Sequence, residues 1–277
     1  MDFASPDAEQ RYDALVAVAS GLIVACDFDG TLSPIVDDPT QAHIHPDAGE
    51  VLSALAPKVL AIAIVTGRPA RQVVELGGLE ALGDAIAASG RELHVFGQYG
   101  NERWSSSDRT VAGPPPPEGL ATFVAELPRT LRAADAADAW VEEKGLAVAV
   151  HTRRLPEPEA AFARLLPLLR EQAEAHDLIV EPGRNVVEVR AAGMDKGLVV
   201  DRLITELGPK AFLFAGDDLG DVDAFETVGA HAKDGLATLL VCSASEEQPA
   251  LTALADVVVP GPDGVLELLR RLASDIA

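Results

Sequence analysis

Cysteine is nearly missing. Cys26 and Cys242 are too few to frame a small secreted domain with disulfides, and the chain reads as cytosolic. Positive charge is also in short supply: Lys and Arg total 22 against 44 Asp and Glu, a formal net charge of -22. A field of that sign repels nucleic acid and anionic membranes, which excludes both as main partners. It repels a phosphorylated small molecule as well, unless a metal ion and a few local cations reverse the potential. No apolar run reaches the roughly 18 residues of a membrane helix. The opening MDFASPDAEQRYDALVAVASG starts acidic where a secretion leader starts basic. Internal repeats and low-complexity tails are absent too. Together these absences predict a soluble, cytoplasmic protein.

What is present is ordinary globular material: 277 residues, 48% hydrophobic and 24% charged, enough for one large domain or two modest ones. GLIVACDFDG, residues 21–30, is a short apolar run ending in carboxylates and glycine, as a strand buried on both faces ends at the edge of a parallel sheet. Similar runs cover residues 59–68, 211–218 and 236–243, with a shorter one at 256–259. Helical patterns lie between them, at 46–55, 69–76, 195–207, 221–228 and 262–272. This alternation predicts a doubly wound, Rossmann-like α/β core with a parallel sheet.

The middle of the chain follows another pattern. It turns polar near residues 97–104, and Gly113 to Pro117 forms a stiff Gly-Pro-Pro-Pro-Pro connection. A helix to about residue 134, strand-like runs over 139–153 and a helix over 157–176 come next. LIVEPGRNVVEVR, residues 178–190, reads as a hairpin. The sequence therefore predicts an α+β unit at 98–190, inserted into a core made of 1–97 and 191–277.

Chemistry-bearing residues gather where the core strands end, the expected ligand edge of an open α/β sheet. Asp27 and Asp29 of Asp27-Phe28-Asp29-Gly30-Thr31 sit two apart on an extended chain and point the same way. Gly30 and Thr31 then either turn backbone N–H groups toward an anion or merely close an Asx turn. Thr66-Gly67-Arg68, past the second strand, is either an anion site or a simple turn. Lys196 opens a helix, where the macrodipole disfavours a cation, so it is an anion ligand unless it is only a solvated surface lysine. Asp217, Asp218 and Asp221 crowd three carboxylates into five residues, a repulsive arrangement that a hard cation such as magnesium relieves.

The order of the four motifs, DxDGT, TGR, K and GDDxxD, resembles the haloacid-dehalogenase superfamily of aspartate-nucleophile phosphatases, with the central insertion as its cap. DFDGTLSPIVDDPTQA, TGRP, YGNERW, VEEKGLAVAVHTR, EPGRNVVEVRAAGMDKG and FAGDDLGDVDAF narrow the likeness to the trehalose-6-phosphate phosphatase family, over about residues 22–272. The chain departs from that family at Gly220 and Val222, which stand for a hydroxyl and an acidic residue, and at His151-Thr152-Arg153, which stands for His-Tyr-Arg.

The resemblance implies a magnesium-dependent phosphatase that makes trehalose from trehalose 6-phosphate, the last step of trehalose biosynthesis, with a small sugar phosphate as its partner. It implies Asp27 as nucleophile and Asp29 as general acid and base. Magnesium falls to Asp27, Asp29 and Asp217, with Asp218 and Asp221 farther out. Phosphate falls to Asp27, Phe28, Asp29, Thr66, Gly67 and Lys196, with Arg68 either orienting the loop or forming a structural ion pair. Sugar contacts fall to Arg103, Glu142, Lys144, His151 and Glu188. Other expectations open at this point are a phosphatase of glucosylglycerol phosphate or a pseudo-disaccharide phosphate, a phosphomutase, and a non-catalytic sugar-phosphate sensor.

Overall fold

The computed structural model describes residues 6–36, 38–183, 185–193, 195–244 and 249–276. The chain divides into two compact units. One is built from the residues up to Gly113 together with those from Asp195 onward, the other from the residues between, starting at Pro114.

In chain order the first unit begins with helix α1 (Pro6–Ala17), strand β1 (Leu22–Cys26), helix α2 (Ala48–Leu55) and strand β2 (Ala61–Val65). Helices α3 (Ala70–Leu76) and α4 (Leu79–Ala87) and strands β3 (Leu93–Gly97) and β4 (Glu102–Ser105) follow. The second unit comprises α5 (Glu118–Ala133), β5 (Trp140–Glu143), β6 (Ala147–His151), α6 (Pro158–Glu174), β7 (Ile179–Gly183) and β8 (Val186–Arg190). The chain then completes the first unit with α7 (Lys196–Leu207), β9 (Ala211–Gly216), α8 (Val222–Lys233), β10 (Ala237–Ala244), α9 (Pro249–Leu254), β11 (Val257–Pro260) and α10 (Gly261–Asp275).

Seven strands of the first unit form one sheet in the order β11-β10-β9-β1-β2-β3-β4, parallel throughout except for β4. All five residues of β1 are buried, and the pleat shares them between two layers. Leu22, Val24 and Cys26 join Leu52, Leu55, Leu268 and Leu272 in one layer. Ile23 and Ala25 join Val200, Leu203, Phe212 and Phe225 in the other. Each large side chain so buried contributes about 1.5–3 kcal/mol. The doubly wound α/β reading is what the structure has.

The unit boundaries differ from the sequence reading of 98 and 190. Glu102–Ser105 pairs antiparallel with β3 as the edge strand of the large sheet, so residues 98–113 stay with the first unit. A strand at an edge is paired on one side only and tolerates the polar composition that made this stretch look like a connection. Helices α1 and α4 and the buried strand β3 are further elements that the sequence patterns did not mark.

In the second unit β5, β6, β8 and β7 form an antiparallel sheet in that order. Val148, Val150, Val187 and Val189 point to one face and pack with Phe123 and Leu127 of α5 and Leu165 and Leu169 of α6. Glu142, Lys144, His151 and Glu188 share the opposite face, as the register requires. No helix among the described residues is long and apolar enough to cross a membrane.

Candidate active site

Strands β9, β1 and β2 are neighbours, so the loops that follow them meet at one edge of the sheet. The Asp27 N–H still donates to Ala215 O at 2.8 Å, carrying the β1–β9 ladder to the first carboxylate. The chain then folds back, with Leu32 and Ser33 N–H both donating to Phe28 O, and Gly30 N–H to Ser33 O at 2.7 Å. The Gly30 amide is thus spent within its own turn instead of facing an anion. Gly30 has φ +69, and a Cβ there would run into the Asp217 carboxylate. That position needs glycine twice over: for its left-handed backbone and for the room it gives Asp217.

Lys196 is buried at the start of α7. The Asp195 carboxylate caps that helix by accepting from Leu198 N–H at 2.9 Å. The Lys196 Nζ lies 2.9 Å from Asp27 Oδ1 and 2.7 Å from Asp221 Oδ1. Burial by itself lowers a lysine, but the carboxylates of Asp221 and Asp27 hold this one well above its usual range. The surface-lysine alternative is therefore excluded. Asp221 is also buried, and its Oδ2 accepts from Asp217 N–H at 2.9 Å and Asp218 N–H at 3.3 Å. Both its oxygens are engaged, so it braces Lys196 and the acidic loop.

Asp27, Asp217, Asp218 and Asp221 each offer an oxygen, and these atoms lie within 4.8 Å of one another. Burial pushes Asp217 up to about 10, reinforced by the charges of Asp27, Asp218 and Asp221. Burial also raises Asp27 well above the carboxylate range, with Lys196 opposing it. A cluster this short of positive charge fits a hard divalent cation, whose ligands are oxygens. Asp29 points elsewhere. Its carboxylate accepts a two-pronged pair from Arg68, Nε to Oδ2 at 2.6 Å and Nη2 to Oδ1 at 2.7 Å, while Arg68 Nη1 donates to Pro39 O at 2.8 Å. Of the two sequence readings for Arg68, the ion pair is present, and it orients the Asp29 side chain.

Thr66 is buried, its N–H donating to Phe96 O and its hydroxyl oxygen accepting from Arg68 N–H at 3.1 Å. Gly67 faces Tyr99, the first residue of YGNERW, to which the sequence assigned no role in the site: a Cβ on Gly67 would come within 2.8 Å of the phenol carbon and oxygen. Tyr99 and Gln98 are left-handed, with φ 55 and 50, and no sequence signal marks a non-glycine for that conformation.

In the second unit His151 Nε2 lies 2.9 Å from Glu142 Oε2, and Lys144 Nζ donates to Glu188 Oε2 at 2.6 Å. Trp140 stacks on His151 at 4.3 Å between ring centroids, and Arg190 pairs with Glu181 at 3.1 Å. Reading every second residue outward from Glu142 and Glu188 finds Trp140 and Arg190 on the same face. Arg103 is not among them. It belongs to β4 of the first unit, where it pairs with Glu206 at 3.0 Å and lies 5.7 Å from the Phe96 ring.

A parallel sheet that gathers its carboxylates beyond β1 and β9, around one buried lysine, has the fold of the haloacid-dehalogenase-like phosphatases. A haloacid dehalogenase-like hydrolase from Bacteroides thetaiotaomicron matches it with TM-score 0.62 over 90% of this chain and 98% of its own, at 15% identity. The C-terminal domain of Candida albicans trehalose-6-phosphate phosphatase matches with TM-score 0.76 over 99% and 98%, at 21% identity. Within that fold the assignment narrows: the trehalose-phosphatase family model matches residues 25–260, and the chain belongs to this family. A Mycobacterium tuberculosis trehalose-phosphate phosphatase is 31% identical over 280 residues, covering 96% of this chain and 67% of that protein. A second Mycobacterium tuberculosis protein, named as an uncharacterized glycosyl hydrolase, is 35% identical over 236 residues; the match covers 80% of this chain and 17% of that much longer relative.

Proposed function

We propose that this chain hydrolyses trehalose 6-phosphate to trehalose and orthophosphate through an aspartyl-phosphate on Asp27, with magnesium as cofactor. One observation carries the reading: Asp27 Oδ1 lies 2.9 Å from the Lys196 ammonium, inside a group of four aspartates. Uncatalysed phosphate-monoester hydrolysis is so slow that catalysis supplies on the order of 20 kcal/mol. A carboxylate nucleophile divides the displacement into two easier steps.

In the first step an Asp27 oxygen bonds to phosphorus as the bond from phosphorus to the sugar oxygen breaks, and the Asp29 carboxyl gives that oxygen a proton. In the second, Asp29 takes a proton from water as the water oxygen displaces Asp27 from phosphorus, and orthophosphate leaves. Arg68 holds both oxygens of the Asp29 carboxylate away from the aspartate cluster, so Asp29 has to leave that pair to take part in either transfer. The Thr66 hydroxyl, the Gly67 N–H and Lys196 bind the equatorial oxygens, where charge spreads in the transition state. Asp27, the Asp29 carbonyl and Asp217 would hold a magnesium ion, which would offset the repulsion of carboxylate and phosphate, about 4 kcal/mol per charge pair at 4 Å and an effective dielectric of 20.

Glu142, Lys144, His151 and Glu188 read the sugar. A disaccharide offers many hydroxyls and no charge outside its phosphate, and a sheet face of carboxylates, an ammonium and an imidazole supplies matching acceptors and donors. Phosphate release from trehalose 6-phosphate, with and without magnesium, tests the whole reading. The expected result is metal-dependent turnover with a higher kcat/KM than for glucose 6-phosphate or glucosylglycerol phosphate. Equal rates on all three esters would refute the assignment of the sugar.

A further inference from the structure

We infer that Tyr99 is a positioning residue for the phosphate-binding loop Thr66-Gly67-Arg68, and that the left-handed turn at Gln98-Tyr99-Gly100 stores backbone strain to hold it there. Three consecutive residues have positive φ, at 50, 55 and 94, and the first two are not glycine. Glutamine and tyrosine in that region are disfavoured, because Cβ crowds the backbone carbonyl. Such strain persists only where surrounding contacts over-determine it, and it concentrates at functional sites.

Two hydrogen bonds of the turn lead to the catalytic edge. Gln98 N–H donates to Arg68 O at 2.8 Å and Tyr99 N–H to Thr66 O at 3.0 Å, so the turn grips the loop on both sides of Gly67. The Tyr99 ring then fills the space over Gly67, where a Cβ would sit 2.8 Å from its phenol carbon. The same ring lies 3.8 Å from where a Gly220 Cβ would be, in the acidic loop. Gly100 abuts Val199, one turn along α7 from Lys196, closely enough that a Cβ there would strike it. One short turn thus touches the hydroxyl loop, the acidic loop and the helix of the lysine. Its ring packs where a Gly67 Cβ would sit, against the residue whose N–H the proposed reading assigns to phosphate.

The inference rests on the proposed phosphatase reading, and its test separates the two. Asparagine tolerates the left-handed region, so Tyr99→Asn keeps the turn and removes the ring. Its melting temperature is expected to stay at or above that of the parent. Its kcat/KM for trehalose 6-phosphate is expected to fall about 30-fold or more, with inhibition by orthophosphate weakened about tenfold, as suits a misplaced binding loop. Tyr99→Phe restores both within about threefold, because the ring does the positioning. Gly67→Ala lowers kcat/KM in the parent and far less in a Tyr99→Ala background, where the space is open. Parental kinetics in Tyr99→Asn, a melting temperature that falls in step with activity, loss of activity in Tyr99→Phe, or additive losses in the double variant each overturn the inference. A parent chain that releases no phosphate while still binding orthophosphate overturns the phosphatase reading instead.

Discussion

At the scale of single residues the site is a problem in charge. Lys196 is one ammonium between two aspartates, Asp27 and Asp221, with Asp217 close by. Lys196→Met leaves those carboxylates buried without their partner, a change that typically costs about 3–5 kcal/mol. It is expected to lower the denaturation midpoint by chemical melt and abolish turnover, whereas Asp27→Asn abolishes turnover and keeps the fold. An Asp27→Asn chain that still turns over sugar phosphate rules out the covalent route. A second charge sits apart from the chemistry. His94 on β3 is buried near Glu92, Arg103 and Glu206, and burial lowers its pKa despite the pull of Glu92. The unfolded chain therefore takes up this proton at higher pH than the fold does. Stability is complete above the unfolded value of about 6.5 and declines as pH falls through it. His94→Gln is expected to flatten the loss of stability between about pH 7 and 5; an unchanged slope in urea titrations contradicts this.

At the scale of elements, the sequence displays what repeats and hides what is contingent. Strands β1, β2, β9 and β10 are continuous apolar runs and were legible as such. β3 is not, since its five residues include His94 and Gly97, and α4 carries Gly83 inside an otherwise periodic stretch. Asp27, Asp217 and Lys196 were legible because carboxylates and a helix-opening lysine at strand ends are chemically unusual. The Arg68–Asp29 fork and the Tyr99 turn were not, because each depends on a backbone path that residue types leave undetermined. Removing the α7 cap in Asp195→Ala is expected to cost about 1 kcal/mol and to reduce turnover through the adjacent Lys196, with Asp195→Ser recovering both in melts and assays. On the polar face of the antiparallel sheet, Glu142→Gln is expected to raise KM for trehalose 6-phosphate at least tenfold, about 1.4 kcal/mol, while leaving p-nitrophenyl phosphate hydrolysis unaltered. Equal effects on both substrates would remove this face from sugar recognition.

At the scale of the whole molecule, the acidic cluster ties stability to pH and, on the proposed reading, to metal. The fold without metal raises Asp217 from its ordinary value of 3.8 to about 10, so the native state holds a proton that the unfolded chain has lost. Its contribution is present at low pH and is lost as pH rises through that interval. On the proposed reading a divalent cation would replace the proton. Thermal melts are therefore expected to show magnesium raising the midpoint more at pH 9 than at pH 6, and EDTA-treated protein weakening over the same span. A metal effect independent of pH would place the cation elsewhere. The strand order also bears on how the molecule is made. β1 has β2 on one side, which follows soon in the chain, and β9 on the other, which follows only after the entire second unit. While a ribosome is still synthesising the middle of the chain, β1 has an unpaired flank and Asp27 has neither Lys196 nor Asp217 beside it. A nascent chain stopped before Ala211 would carry an open sheet edge, the template on which unfinished proteins aggregate.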